Sequence, residues 1–136
     1  MLSKKKHELL LSGTVIPAHP LALTAGRRLD EERQRLLTRY YLAAGAGGVA
    51  VGVHSTQFAI RDPAVNLYER VLQLAADEIR QAGQTDRFLK VAGICGDTAQ
   101  AIKEAEIARA HGYDMGLLSM GGLRGWTELQ LLERTE

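Results

Sequence analysis

The sequence predicts an α/β protein built from parallel βα units. Short apolar, β-branched runs alternate with stretches of helical periodicity, and this happens four times along the 136 residues. One of these runs, residues 48–53, is apolar throughout (Gly-Val-Ala-Val-Gly-Val), as expected of a strand covered on both faces. The chain is 46% hydrophobic and 24% charged, ordinary values for a folded domain. A net charge of +1 supplies no field that would favour nucleic acid or a membrane surface, so neither is expected as a partner.

Residues 1–11 read as an N-terminal lead-in. Lys4, Lys5 and Lys6 precede an apolar run too short and too polar for a signal peptide or a membrane span. A solvated stretch is one reading, a phosphate or lipid contact the other. Residues 12–16 read as a first strand, bounded by Gly13 and Pro17, and a loop with His19 follows. Asp30 is the expected N-cap of a first helix in which Leu29, Arg33, Leu36, Leu37, Tyr40, Tyr41 and Ala44 recur at helical spacing, with Gly45 as its stop. The second strand, 48–53, leads through a polar loop to Pro63, expected in the first turn of a second helix. Residues 88–94 form a third strand. Asp97 or Thr98 caps a third helix with a face of small apolar residues, Ala101, Ile102, Ala105, Ala108 and Ala110. A fourth strand over 113–119 and the start of a helix at Thr127 complete the pattern.

This order implies parallel strands joined by right-handed crossovers, either in an open doubly wound sheet or in a closed barrel. Gly45, Gly47 and Gly48 mimic a dinucleotide-binding pattern, but they follow a helix and open a strand. That is the reverse of the context in which a helix N-terminus faces a pyrophosphate, so no cofactor is expected. The single cysteine, Cys95, excludes an internal disulfide and fits a reducing cytoplasm, and too few Cys and His cluster for a metal site.

In parallel α/β proteins the reactive residues gather at the C-terminal ends of the strands. Those ends carry His19, then His54, Ser55, Thr56 and Gln57, then Cys95 and Asp97, then Ser119. Ser55 and Thr56 offer two hydroxyls to a carboxylate, or alternatively satisfy their own loop backbone. His54 and His19 are candidate bases or ordinary loop histidines. Cys95 would need a base within reach to act as a nucleophile. Lys90 falls early in its strand, away from the mouth.

The residues also resemble the dihydrodipicolinate synthase and N-acetylneuraminate lyase family over nearly the whole chain. The likeness runs through Gly13 to Pro20, Thr24 to Asp30, Leu42 to Gly52, Val91 to Gly93 with Thr98, Ala101 and Ala105, and Gly112 to Leu118. It implies the first four βα units of a (β/α)₈ TIM barrel, a fold that needs about 250 residues. It also implies a lyase or aldolase acting on a pyruvate-type 2-oxo acid held as a Schiff base on a strand-six lysine, in a homo-oligomer. Ser55 and Thr56 stand where that family binds the 2-oxo acid carboxylate, with His54 and His19 beside them as further substrate-binding candidates.

Three departures qualify the resemblance. The family's Thr-Thr-Gly-Glu box reads Ser55-Thr56-Gln57-Phe58, its tyrosine after strand four is replaced by Ser119-Met120-Gly121-Gly122, and the strand-six lysine has no counterpart in the chain. Residues 12–136 are therefore expected to be the N-terminal half of a barrel, truncated and without a catalytic residue of its own. A non-catalytic half-barrel with an assembly or regulatory role is the alternative. A half barrel leaves apolar surface and strand edges unpartnered, so self-pairing is expected.

Overall fold

Side-chain caps set where the helices begin. In this computed structural model, which describes residues 2–135, Ser3 caps α1 (Lys4–Ser12), Asp30 caps α2 (Glu31–Ala43) and Asp97 caps α4 (Thr98–Ala110). Asp30 accepts from the Arg33 amide at 3.1 Å and Asp97 from the Gln100 amide at 2.9 Å, each filling one of the amide bonds a helix start leaves open. Thr127 and Gln130 form a reciprocal capping box on the short α5 (Glu128–Glu133). Met1 and Glu136, the outer ends of the two stretches drawn from the sequence, lie outside the described residues.

The strands β1 (Gly48–Val51), β2 (Leu89–Ile94) and β3 (Met115–Leu118) form one parallel sheet in sequential order. The helices α2, α3 (Tyr68–Gln81) and α4 pack side by side in the same order. Val49, Val51, Ala92 and Ile94 turn toward them and join Val71, Leu72, Ala75 and Ile79 in a buried core. Consecutive strands are neighbours in this parallel sheet, and the helices that connect them pack in the same order. Among the described residues no helix is long and apolar enough to cross a membrane.

The structure corrects the sequence reading in four places. Residues 12–16 are not a strand: Ser12 ends α1, and an extended segment beyond it lies parallel to β1 through a single bridge, Ala18 with Ala50. The Gly47 and Ala50 amides donate to the Val15 and Pro17 carbonyls, and His19 donates to the Ala50 carbonyl. Pro17 has no amide to return, so the ladder does not propagate. Three strands and a bridged segment thus stand where four strands were expected.

The second helix begins at Tyr68, not at Pro63. Asp62 accepts from the amides of Ala64, Val65 and Asn66, and Asn66 has a positive φ of 47°, which separates this turn from the helix. On α2 the buried positions are Gln34 and Thr38, whereas Leu36 and Tyr40 are exposed. Polar partners in the preceding loop take part of the inward face, while Leu29 and Tyr41 of the expected stripe pack against the core. Toward its neighbour, α2 presents Arg35 and Arg39, both bonded to the buried Glu78 of α3, and these guanidinium groups hold its carboxyl below the usual range.

Lys6, in the stretch read as a solvated lead-in, is buried. Its Nζ lies 2.7 Å from both oxygens of Asp114, whose Oδ2 also accepts from the Lys90 amide. This ion pair fastens α1 across the N-terminal edge of the sheet. Because removing one partner leaves a buried charge uncompensated, Lys6→Ala should cost about 3 kcal/mol in urea denaturation. A loss below about 1 kcal/mol would show that the pair behaves like an exposed one.

Candidate active site

At the C-terminal edge of the sheet β1 gives way to Gly52, whose φ of 77° turns the chain out of the strand. A Cβ on Gly93, the paired position of β2, would run into the Gly52 carbonyl, so glycine permits the two strand ends to approach. Here a cleft of ≈ 210 Å³ opens, walled by Gly52, His54, Phe58, Arg61, Cys95 and Ser119 among others. It is smaller than the ~300–1,000 Å³ of sites for drug-sized ligands and has room for a small molecule.

Two 3₁₀ turns, His54–Thr56 and Phe58–Arg61, build one side of it. The turns meet at Gln57, which has a φ of 73° and a ψ of 125°, a conformation that costs a non-glycine residue on the order of 1–3 kcal/mol. The glycine of the family box is thus missing while the backbone still asks for one.

Thr56 is fully buried. Its hydroxyl donates to the His19 carbonyl at 2.7 Å and accepts from the Gly52 amide at 3.0 Å, so it ties the turn to the strand end and to the neighbouring loop. Ser55 is half-buried, with its hydroxyl 3.2 Å from Nε2 of the exposed His54, and His54 itself walls the cleft.

His19 is fully buried away from the cleft. Its Nδ1 receives Gln34 Nε2 at 2.6 Å, an arrangement that leaves the proton on Nε2 for Thr38 Oγ1 at 2.9 Å. Gln34 also donates to the Pro20 carbonyl and accepts from the Ala22 amide. Burial lowers the His19 pKa, against the opposing effect of the Pro20 carbonyl, and keeps the ring neutral. The structure therefore brings His54 to the cleft, keeps Ser55 beside His54 but outside the cleft wall, and buries Thr56 and His19 behind the turn.

Sequence reasoning missed Arg61 and Glu104. Arg61 Nε donates to Glu104 Oε1 at 2.9 Å, and Nη2 donates to the Gly52 and Gly93 carbonyls, both at 2.9 Å. Both side chains are over nine-tenths buried. The guanidinium lies over the Tyr68 ring, 4.5 Å from its centroid, and the Tyr68 hydroxyl donates to the same Gly93 carbonyl. One signal was present: Glu104 sits between Ala101 and Ala108 on the buried stripe of α4, and a carboxylate there calls for a buried cation.

Cys95 also walls the cleft. Burial pushes its thiol up, with Glu104 adding to the shift and Arg61 opposing it, which is contrary to the activation a nucleophile requires. Among the described residues no three His, Cys, Asp or Glu gather into a metal-binding group.

The depressed His19 pKa fixes the sign of a pH effect. An unfolded chain takes up a proton at His19 near pH 6.5, whereas the folded chain does so only at a lower pH. The stability contributed by the neutral ring is complete above about pH 6.5 and declines as pH falls below it. Denaturation midpoints compared at about pH 5 and about pH 7.5 should show a fall that His19→Gln reduces; an equal fall in both proteins would place the titration elsewhere.

No family model and no curated protein matches this sequence. Solved structures do match. The chain is similar to dihydrodipicolinate synthase from Oceanobacillus iheyensis, with a TM-score of 0.76 and 16% identity over 88% of this chain and 38% of the other. N-acetylneuraminate lyase from Fusobacterium nucleatum matches with a TM-score of 0.73 and 15% identity over 90% and 40%. The catalytic lysine mutant of Ruminococcus gnavus sialic acid aldolase matches with a TM-score of 0.60 and 19% identity over 87% and 35%. The chain spans about two fifths of the length of these proteins. At such identities the likeness is one of fold: this α/β chain, with its parallel sheet, is built like part of the dihydrodipicolinate synthases and sialic acid aldolases.

Proposed function

We propose that this chain is the first part of an aldolase-type lyase that acts on a pyruvate-type 2-oxo acid through a lysine Schiff base, the lysine lying beyond residue 136. The observation that carries this reading is the cleft at the C-terminal strand rim, where His54, Arg61 and Ser119 meet on a fold shared with a dihydrodipicolinate synthase and an N-acetylneuraminate lyase. One matching structure is the catalytic lysine mutant of a sialic acid aldolase, so a catalytic lysine has a precedent on this fold.

In that chemistry a neutral amine adds to the ketone carbon and water leaves. The protonated imine then draws electrons from the adjacent carbon, which loses a proton and attacks an aldehyde. This chain contributes binding to that sequence. The Ser55 hydroxyl donates to the substrate carboxylate and His54 bounds the substrate on the same side. Thr56 and His19 act through the turn, fixing its height above β1. Ser119 walls the cleft after β3, at the position where the resemblance puts the family's tyrosine.

Lys90 does not supply the imine. It leaves the N-terminal part of β2, and its Nζ donates to the His111 carbonyl at the opposite edge of the sheet. Borohydride reduction in the presence of pyruvate should therefore leave the 136-residue chain unmodified, and should trap an adduct once an in-frame continuation supplies further βα units with a strand-borne lysine. An adduct on Lys90 or Lys103 would overturn the assignment.

We also propose that the protein associates with itself. Leu117, Met120, Leu129 and Leu132 are exposed on and beyond β3, as are Leu36 and Tyr40 on α2. Size-exclusion chromatography should show a dimer or larger species; a sharp monomer peak at micromolar concentration would refute it.

A further inference from the structure

Arg61 has donors to spare. A guanidinium carries five N–H groups in a fixed plane. Here Nε serves Glu104, and Nη2 serves the Gly52 and Gly93 carbonyls. Nη1 is buried and has no hydrogen-bond partner among the described residues. Glu104 cannot turn to meet it: Oε1 also accepts from Gln100 Nε2 at 2.8 Å, and Oε2 accepts from the Cys95 amide at 3.0 Å. Leaving two N–H groups of a buried cation unmet is costly, more so than for a neutral group.

A second arginine stands at the same strand end. Arg134 donates to the Gly96 carbonyl at 2.7 Å, and its Nε and Nη1 likewise have no partner among the described residues. Arg61 is itself a wall of the cleft that His54 and Ser119 line.

We infer that Arg61 is the anion anchor of this cleft, its Nη1 donating to a carboxylate of the bound substrate while Glu104 and the two glycine carbonyls hold the guanidinium plane in place. This rests on the reading of the cleft as a 2-oxo acid site, and deepens it: the Ser55 hydroxyl gives one neutral hydrogen bond, and Arg61 gives the charge that selects an acid over its amide. A charge-assisted bond of this kind is about twice as strong as a neutral one. Lysine is no substitute, because its point charge cannot serve Glu104, two carbonyls and a ligand from one plane.

The test is read first on the unaltered chain. Guanidinium nitrogen resonances of Arg61 should shift saturably on titration with pyruvate and stay still with pyruvamide. Arg61→Lys, checked by circular dichroism for an intact fold, should weaken pyruvate binding by about tenfold or more. Arg61 resonances that do not move in millimolar pyruvate would overturn the inference, whatever the variant does. If pyruvate instead moves only Ser55 and His54, the 2-oxo acid reading stands and the Arg61 anchor falls. If Arg61 responds to pyruvate but borohydride traps no adduct on the extended protein, the anchor stands and the Schiff-base reading falls.

Discussion

Parallel strands that stop at the same level leave their last carbonyls pointing along the ladder with no amide to meet, and at the ends of β1 and β2 Arg61 answers that need. One guanidinium bonds the Gly52 and Gly93 carbonyls, stacks on Tyr68 of α3 and pairs with Glu104 of α4. Two strands and two helices thus converge on a single charged group. Bringing a cation and a carboxylate out of water costs several kcal/mol per ion, and good geometry on every side is needed to offset it. The absence of a side chain at Gly93 supplies part of that geometry, since any Cβ would push the strand ends apart. The cleft exists because this junction is rigid: its floor is the pair of carbonyls and its wall the cation that holds them.

The opposite edge of the sheet also carries buried charge, with a different consequence. Lys6, Lys90 and Asp114 lie close together there, and burial lowers the Lys90 pKa against the opposing pull of Asp114. A lysine with a lowered pKa is the usual sign of amine chemistry. In this fold location overrules the sign. Nζ of Lys90 is spent on the His111 carbonyl and lies 5.7 Å from the Tyr113 ring centroid, on the edge where barrel proteins keep stability rather than function. The lowered pKa follows chiefly from burial, with the ammonium of Lys6 adding to it.

Much of the fold was legible in the sequence because it rests on local signals. Asp30, Asp97 and Thr127 announce their helices by capping, and the apolar run at 48–53 announces a covered strand within two residues of its end. What stayed hidden depends on partners far along the chain. Lys6 reads as solvated until Asp114, 108 residues later, is brought against it. Gln34 and Thr38 read as the outer face of α2 until His19 turns inward to meet them. Pro63 reads as a helix start, but Asp62 and the positive φ of Asn66 make a turn of it first. Within the loop 54–56 the division of labour was not legible: two adjacent hydroxyls look alike in sequence, and only the fold sends that of Thr56 to backbone groups and that of Ser55 to the His54 ring. Arg61 was passed over because an arginine in a polar loop looks solvated unless the glutamate on the buried stripe of α4 is weighed with it.

The same junction decides what kind of chemistry this cleft favours. A thiol nucleophile needs a cationic, carboxylate-free setting to lower its pKa. Cys95 has instead the Glu104 carboxylate close by, with Oε2 3.9 Å from Sγ, and sits in a buried strand end that raises the thiol further. Glu104 cannot be dispensed with, because it also neutralises Arg61 and receives the Cys95 amide. The carboxylate that makes the arginine junction possible is therefore the group that silences the cysteine. A strand end built this way holds Cys95 as a structural thiol, its amide and its sulfur both facing the carboxylate that pairs with Arg61.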